Sequence, residues 1–213
     1  MNRAAIFDLD GTLIDSVADI AAAVNAALQA FGHSAHPLES YYDFVGEGVE
    51  ALLTRALAPA PFDHAVLERY RLLYAAEMTK RTLPYPGIHA MLLALQTDGW
   101  RLAVLSNKPH LATCALVQHF FADVAFLAVA GQRPEVPRKP DPSAALALAA
   151  ELGVAPSRCA FVGDTAVDML TARQAGMAAM GVTWGFRPAE VEQADAVVHT
   201  SAELLAALQG WTP

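Results

Sequence analysis

The stretch AAIFDLDGT (residues 4–12) decides how this chain is read. Four apolar residues lead straight into Asp8 and Asp10, two positions apart. Side chains alternate in direction along an extended segment, so the two carboxylates are expected to point the same way. At close range they repel unless one holds a proton or a cation sits between them. An unbroken apolar run suits a strand buried on both faces. Polar groups at the carboxyl end of such a strand stand where open α/β sheets bind their ligands.

Other runs repeat the pattern: LAVLS (102–106), AFLAVAG (125–131), CAFVG (159–163) and MAAMGVT (177–183) read as further buried parallel strands. A shorter run, AVV (196–198), precedes a closing helix opened by Ser201. Helical patterns lie between most of these runs, which gives an α/β fold. The interval from residue 16 to residue 83 is far longer than one crossover helix needs. It holds helical patterns at 16–31, 38–44, 47–57 and 62–80 and ends at the turn-like LPYPGI (83–88). The expected architecture is an α/β core of residues 1–15 and 84–213, with a helical cap of residues 16–83 inserted after the first strand.

Composition narrows the function. Of the 213 residues, 54% are hydrophobic and 17% charged, which excludes a disordered chain. A net charge of −8 argues against a nucleic-acid partner, which demands a basic face. Asp8 interrupts the first apolar run before a secretory signal can form, and no uncharged window is long enough to span a membrane. A cytoplasmic protein is expected. Cys114 and Cys159 suffice for one bridge at most, and Cys159 reads as a small buried filler. Lysine is scarce: Lys80, Lys108 and Lys139.

Four strand ends carry polar clusters: Asp8 to Thr12, Ser106-Asn107-Lys108, Arg138-Lys139-Pro140, and Gly163-Asp164-Thr165 with Asp168. Each has a plain structural reading. Asp-Gly is a common turn, and Ser106-Asn107 suits a strand end that caps the helix after Pro109. Asp141 and Pro142 fit the N-cap and first turn of a helix, leaving Lys139 as an exposed loop residue. Thr165 with Asp168, and Ser16 with Asp19, match capping boxes. Asp15 reads as local structure too. Together, however, the clusters follow successive strands of one sheet and must converge. Three carboxylates, a hydroxyl and two lysines then face one place. Mg²⁺ favours few carboxylates, several waters and a substrate phosphate, and Asp8, Asp10 and Asp164 meet that requirement.

The set DLDGT, SNK, RKPDP and GDTAVD resembles the four motifs of the haloacid dehalogenase superfamily, in its phosphatase branch. The resemblance covers nearly the whole chain and implies a Rossmann-like parallel sheet with helices on both faces and a C1-type helical cap. VGEGVEALLTRAL and GVTWGF are similar, more narrowly, to the phosphoglycolate phosphatase family. By resemblance, Asp8 is the nucleophile that takes the phosphoryl group, and Asp10 the acid and base that serves the leaving alcohol and then water. The same likeness places Mg²⁺ on Asp8, the Asp10 backbone carbonyl and Asp164, with Asp168 in support. Ser106, Asn107, Lys139, Gly11 and Thr12 would hold phosphate. Gly46, Glu47 and Gly48 open a cap helix whose N-terminal amides suit an anionic substrate group; the plain alternative is a glycine-rich helix start packed on the core. A free carboxylate has a pKa of about 3.9, so Asp8 is expected to be ionised at neutral pH without help.

The partner implied is a small phosphorylated metabolite. Dehalogenases of the superfamily lack the second motif-one aspartate, which is present here as Asp10. Phosphonate hydrolases need a cap lysine, and none occurs between Ser16 and Thr79. A phosphosugar mutase, a phosphatase for pyrophosphate or sugar phosphates, and a catalytically idle phospholigand sensor remain as alternatives.

Overall fold

The computed structural model describes residues 2–212. Its strands are β1 (Ala4–Phe7), β2 (Ile14–Asp15), β3 (Leu83–Pro84), β4 (Arg101–Pro109), β5 (Phe126–Gln132), β6 (Cys159–Gly163), β7 (Ala178–Val182) and β8 (Ala196–Val198). Its α-helices are α1 (Val17–Ala30), α2 (Ser40–Phe44), α3 (Val49–Leu57), α4 (His64–Glu77), α5 (Ile88–Thr97), α6 (His110–Phe120), α7 (Ser143–Glu151), α8 (Ala166–Ala175) and α9 (Ser201–Gly210). Six strands form one sheet in the order β5-β4-β1-β6-β7-β8, every pair parallel. The AVV run is therefore the edge strand of the sheet, with Val198 paired to Val182.

Alternation explains why the strand runs are continuously apolar. Ala5, Phe7, Leu102, Val104, Ala160 and Val162 point to one face and pack with side chains of α5, α6 and α9. Ala4, Ile6, Ala103, Leu105, Cys159 and Phe161 point to the other and meet α7 and α8. Both faces are covered, so neither register position tolerates a polar residue. Each fully buried Phe or Ile contributes roughly 1.5–3 kcal/mol. Truncating Ile6 or Phe7 in the central strand would therefore loosen the layer on which the site is built.

Helices α1 to α4 bury a cluster of their own, in which Ile20, Val24 and Leu28 meet Leu53, Val66 and Tyr70. An antiparallel pair, Ile14 with Pro84 and Asp15 with Leu83, brings the two ends of this insert together. Asp19 fastens the same point, accepting hydrogen bonds from Arg81 N, Thr82 N and Thr82 Oγ1. The capping box expected of Ser16 and Asp19 is thus absent. Ser16 flanks α1 without a side-chain cap, and its hydroxyl donates to Asp10 Oδ1 at 2.5 Å. Buried Asp19 needs several donors, and the returning chain supplies more of them than a helix end can.

Two smaller expectations also shift. Helix α7 starts at Ser143, with Pro142 flanking it and Asp141 accepting from Ser143 N, one residue later than the cap pattern suggested. Strand β4 runs on through Ser106, Asn107 and Lys108 to Pro109, so these residues belong to the strand. Cys114 and Cys159 are both free thiols. Among the described residues, no helix is long and apolar enough to cross a membrane.

Candidate active site

Strand β1 lies between β4 and β6, and the chain reaches these neighbours on opposite sides. This is a topological switch point, where the carboxyl ends of adjacent strands open a crevice. Asp8 leaves β1 there, its N–H held by Val162 O at 2.9 Å. Asp164 follows β6, and Ser106 and Lys108 sit at the end of β4.

Asp8, Asp164 and Asp168 are all buried, and each offers a carboxylate oxygen within 4.8 Å of the others. Lys139, which is buried rather than an exposed loop residue, answers part of that charge. Its ammonium donates to Asp168 Oδ1 at 2.6 Å and lies 2.8 Å from Asp8 Oδ1. Apart from that ion pair, Asp8 Oδ1 is a buried oxygen without a hydrogen-bond partner. Asp168 serves twice: its other oxygen closes the capping box with Thr165 N and Oγ1.

Burial pushes Asp8 up to about 7; Lys139 opposes the shift, and Asp168 and Asp10 add to it. The expectation of an unaided, fully ionised nucleophile is therefore corrected by desolvation. Burial also raises Asp164 well above the usual carboxylate range, with Asp168 and Asp8 contributing. For Lys139, burial disfavours the charge, but Asp168 and Asp8 outweigh it and raise the pKa. Hard oxygen donors around one buried, undonated carboxylate oxygen suit a divalent cation such as Mg²⁺.

The backbone closes tightly over Asp164. Gly11 has φ +84°, and a Cβ on Gly11 or on Gly185 would overlap the Asp164 side chain. Thr12 Oγ1 and Phe186 N donate to that carboxylate at 3.2 and 2.8 Å. The Thr12 hydroxyl thus supports Asp164, and Trp184 Nε1 holds the Thr12 carbonyl at 3.0 Å.

Asp10 occupies the other side of the crevice. Lys108 Nζ donates to its two oxygens at 2.8 and 3.0 Å, and Ser16 adds the bond described above. The ammonium also sits 4.7 Å from the centre of the Tyr74 ring. Asn107 is a brace: its amide donates to Gly46 O and Lys139 O and accepts from Lys139 N. Glu47 pairs with Arg55.

Asp8, Asp10, Ser106, Asn107 and Lys108 form the polar wall of one pocket, roofed by Val45, Gly46, Gly48, Val49, Leu52 and Tyr70 of the insert. Its volume of about 40 Å³ holds about three waters. Glu47 does not line it, although its glycine neighbours do.

Sequence reasoning missed the partner of Asp10, since Lys108 is separated from it by 98 positions. Lysine scarcity was the available signal. It also missed Arg187, which donates to Val45 O at 3.1 Å and pairs with Glu190, tying the loop after β7 to the insert. That segment was visible only as part of the GVTWGF likeness.

Comparison with known proteins gives the family. Residues 2–176 match the family of haloacid dehalogenase-like hydrolases. A phosphoglycolate phosphatase of Pseudomonas putida is 36% identical over 213 residues, covering 95% of this chain and 78% of that protein. One from Cereibacter sphaeroides is 39% identical over 192 residues, 87% of each chain. A presumed phosphoglycolate phosphatase from Lactobacillus delbrueckii superposes with a TM-score of 0.92 at 32% identity, over 99% of this chain and 100% of that one. The chain therefore belongs to the haloacid dehalogenase-like hydrolase family, on its phosphatase side.

Proposed function

We propose that the chain is a Mg²⁺-dependent phosphomonoesterase that works through an aspartyl-phosphate at Asp8, with 2-phosphoglycolate as its substrate. One observation carries the reading. Asp8 lies between the Asp164–Asp168–Lys139 cluster and a pocket that it shares with Asp10. The names of the relatives at 36% and 39% identity support the substrate. In this reading residues 16–83 act as the cap.

The Asp8 carboxylate attacks phosphorus in line, forming a new O–P bond as the bond to the ester oxygen breaks. Asp10 gives its proton to the departing oxygen. It then takes a proton from the water that attacks the aspartyl-phosphate, which frees Asp8 and inorganic phosphate. Lys139 offsets the like charges of carboxylate and phosphate, and Ser106 Oγ and the backbone around Gly11 orient the phosphoryl oxygens. When bound to Asp8, Asp164 and the Asp10 carbonyl, the cation would supply further neutralisation of the phosphate and hold Asp8 ionised. Thr12, Asn107 and Asp168 keep Asp164 and Lys139 in place.

The test is a phosphoester panel containing 2-phosphoglycolate and p-nitrophenyl phosphate, run with Mg²⁺ and with chelator. Chelator-sensitive hydrolysis led by 2-phosphoglycolate is the expected result. Absence of turnover on every ester would replace this reading with a phospholigand sensor.

A further inference from the structure

Lys108 is the cation that lines the pocket beside Asp10. Around it the pocket is closed by Ile20, Val45, Val49, Leu52 and Tyr70, which carry no charge. Other basic residues nearby are engaged elsewhere. Lys139 is held by Asp8 and Asp168, while Arg55, Arg138 and Arg187 pair with Glu47, Glu50 and Glu190. Lys108 itself is 7% exposed, fixed by Asp10 and by the face of Tyr74. A cation immobilised in this way has little side-chain entropy left to lose on meeting a ligand.

We infer that Lys108, a core residue rather than part of the cap loop, selects esters that carry an anionic group one or two carbons from the ester oxygen. The inference rests on the phosphomonoesterase reading above and adds the residue that sets its substrate class. The ester oxygen must come within about 3 Å of the Asp10 carboxyl to receive its proton. Lys108 Nζ lies 2.8 Å from that carboxyl, which places the ester oxygen within about 6 Å of the ammonium. A carboxylate one carbon further along can turn toward the ammonium from there. The ammonium has three N–H donors and can serve Asp10 and a substrate carboxylate together. A neutral group at the same place gains nothing from Lys108, and a cationic group is repelled. The roof side chains carry no charge, so Lys108 is the charged side chain of this pocket that attracts an anion.

Three esters separate charge from shape: 2-phosphoglycolate, ethyl phosphate and phosphoethanolamine, with an anionic, neutral or cationic group beside the ester. Their kcat/KM values are expected to fall in that order for the wild-type enzyme. Lys108→Met should lower the ratio of 2-phosphoglycolate to ethyl phosphate by about 10- to 100-fold, chiefly through KM. Lys108→Arg keeps the charge and should retain most of the ranking. If Lys108→Met slows all three esters alike and leaves the ratio unchanged, Lys108 only positions Asp10 and the inference is overturned. Equal turnover of the three esters by the wild type overturns the inference but leaves the phosphomonoesterase reading standing. Absence of turnover on all of them removes that reading, and the inference with it.

Discussion

Lys139→Met removes the one ammonium that lies among Asp8 and Asp168, with Asp164 adjoining. The methionine fills a similar volume, so the loss is mainly electrostatic. Breaking a buried ion pair by deleting one partner costs about 3–5 kcal/mol, because the other charge stays buried and uncompensated. Unfolding entropy of about 2.1 cal/mol/K per residue amounts to about 0.45 kcal/mol/K over 213 residues. The melting temperature should therefore fall by about 7–11 °C in chelator at pH 8. Acid should narrow the gap, since protonated carboxylates no longer need the cation. Differential scanning fluorimetry of both proteins at pH 5 and pH 8 reads this directly. A fall of less than about 2 °C at pH 8, under about 1 kcal/mol, would refute the claim that Lys139 balances this cluster.

Other outcomes follow from the same geometry. Asp8→Asn should lower kcat by at least about a thousandfold while circular dichroism and melting temperature are kept or improved. Residual hydrolysis near the wild-type rate would remove Asp8 as nucleophile. The pH dependence of metal binding has a definite sign. Asp8 has its pKa raised by folding to about 7, so its favourable contribution is present while it is protonated and is lost as pH rises from about 4 through 7. Mg²⁺ needs the ionised carboxylate, so the Mg²⁺-induced rise in melting temperature should grow from pH 5 to pH 8. An equal rise at both values would exclude Asp8 as a ligand.

Much of the fold was legible because a parallel sheet covered on both faces writes itself as unbroken apolar runs. AAIF and CAFVG match their strands residue for residue. The capping box of Thr165 and Asp168 was legible for a related reason: its partners are three residues apart. The same local pattern misled at Ser16 and Asp19, whose side chains found Asp10 and residues 81–82 instead. Thr12 and Asn107 were read as phosphate ligands from their motifs; their side chains brace Asp164, Lys139 and Gly46, and Asn107 also lines the pocket. A motif names the residues of a site and leaves open which of them face inward.

By itself, then, the sequence determined the strand periodicity and the chemical inventory of three carboxylates and two lysines. These are properties of short segments and follow from alternation and composition. Tertiary structure alone decided how the charges are shared, with Lys139 given to Asp8 and Asp168, and Lys108 to Asp10. It also decided that Asp8 is pushed up to about 7. Both depend on distance and on exclusion of water, and neither quantity exists until strands far apart in the chain lie side by side.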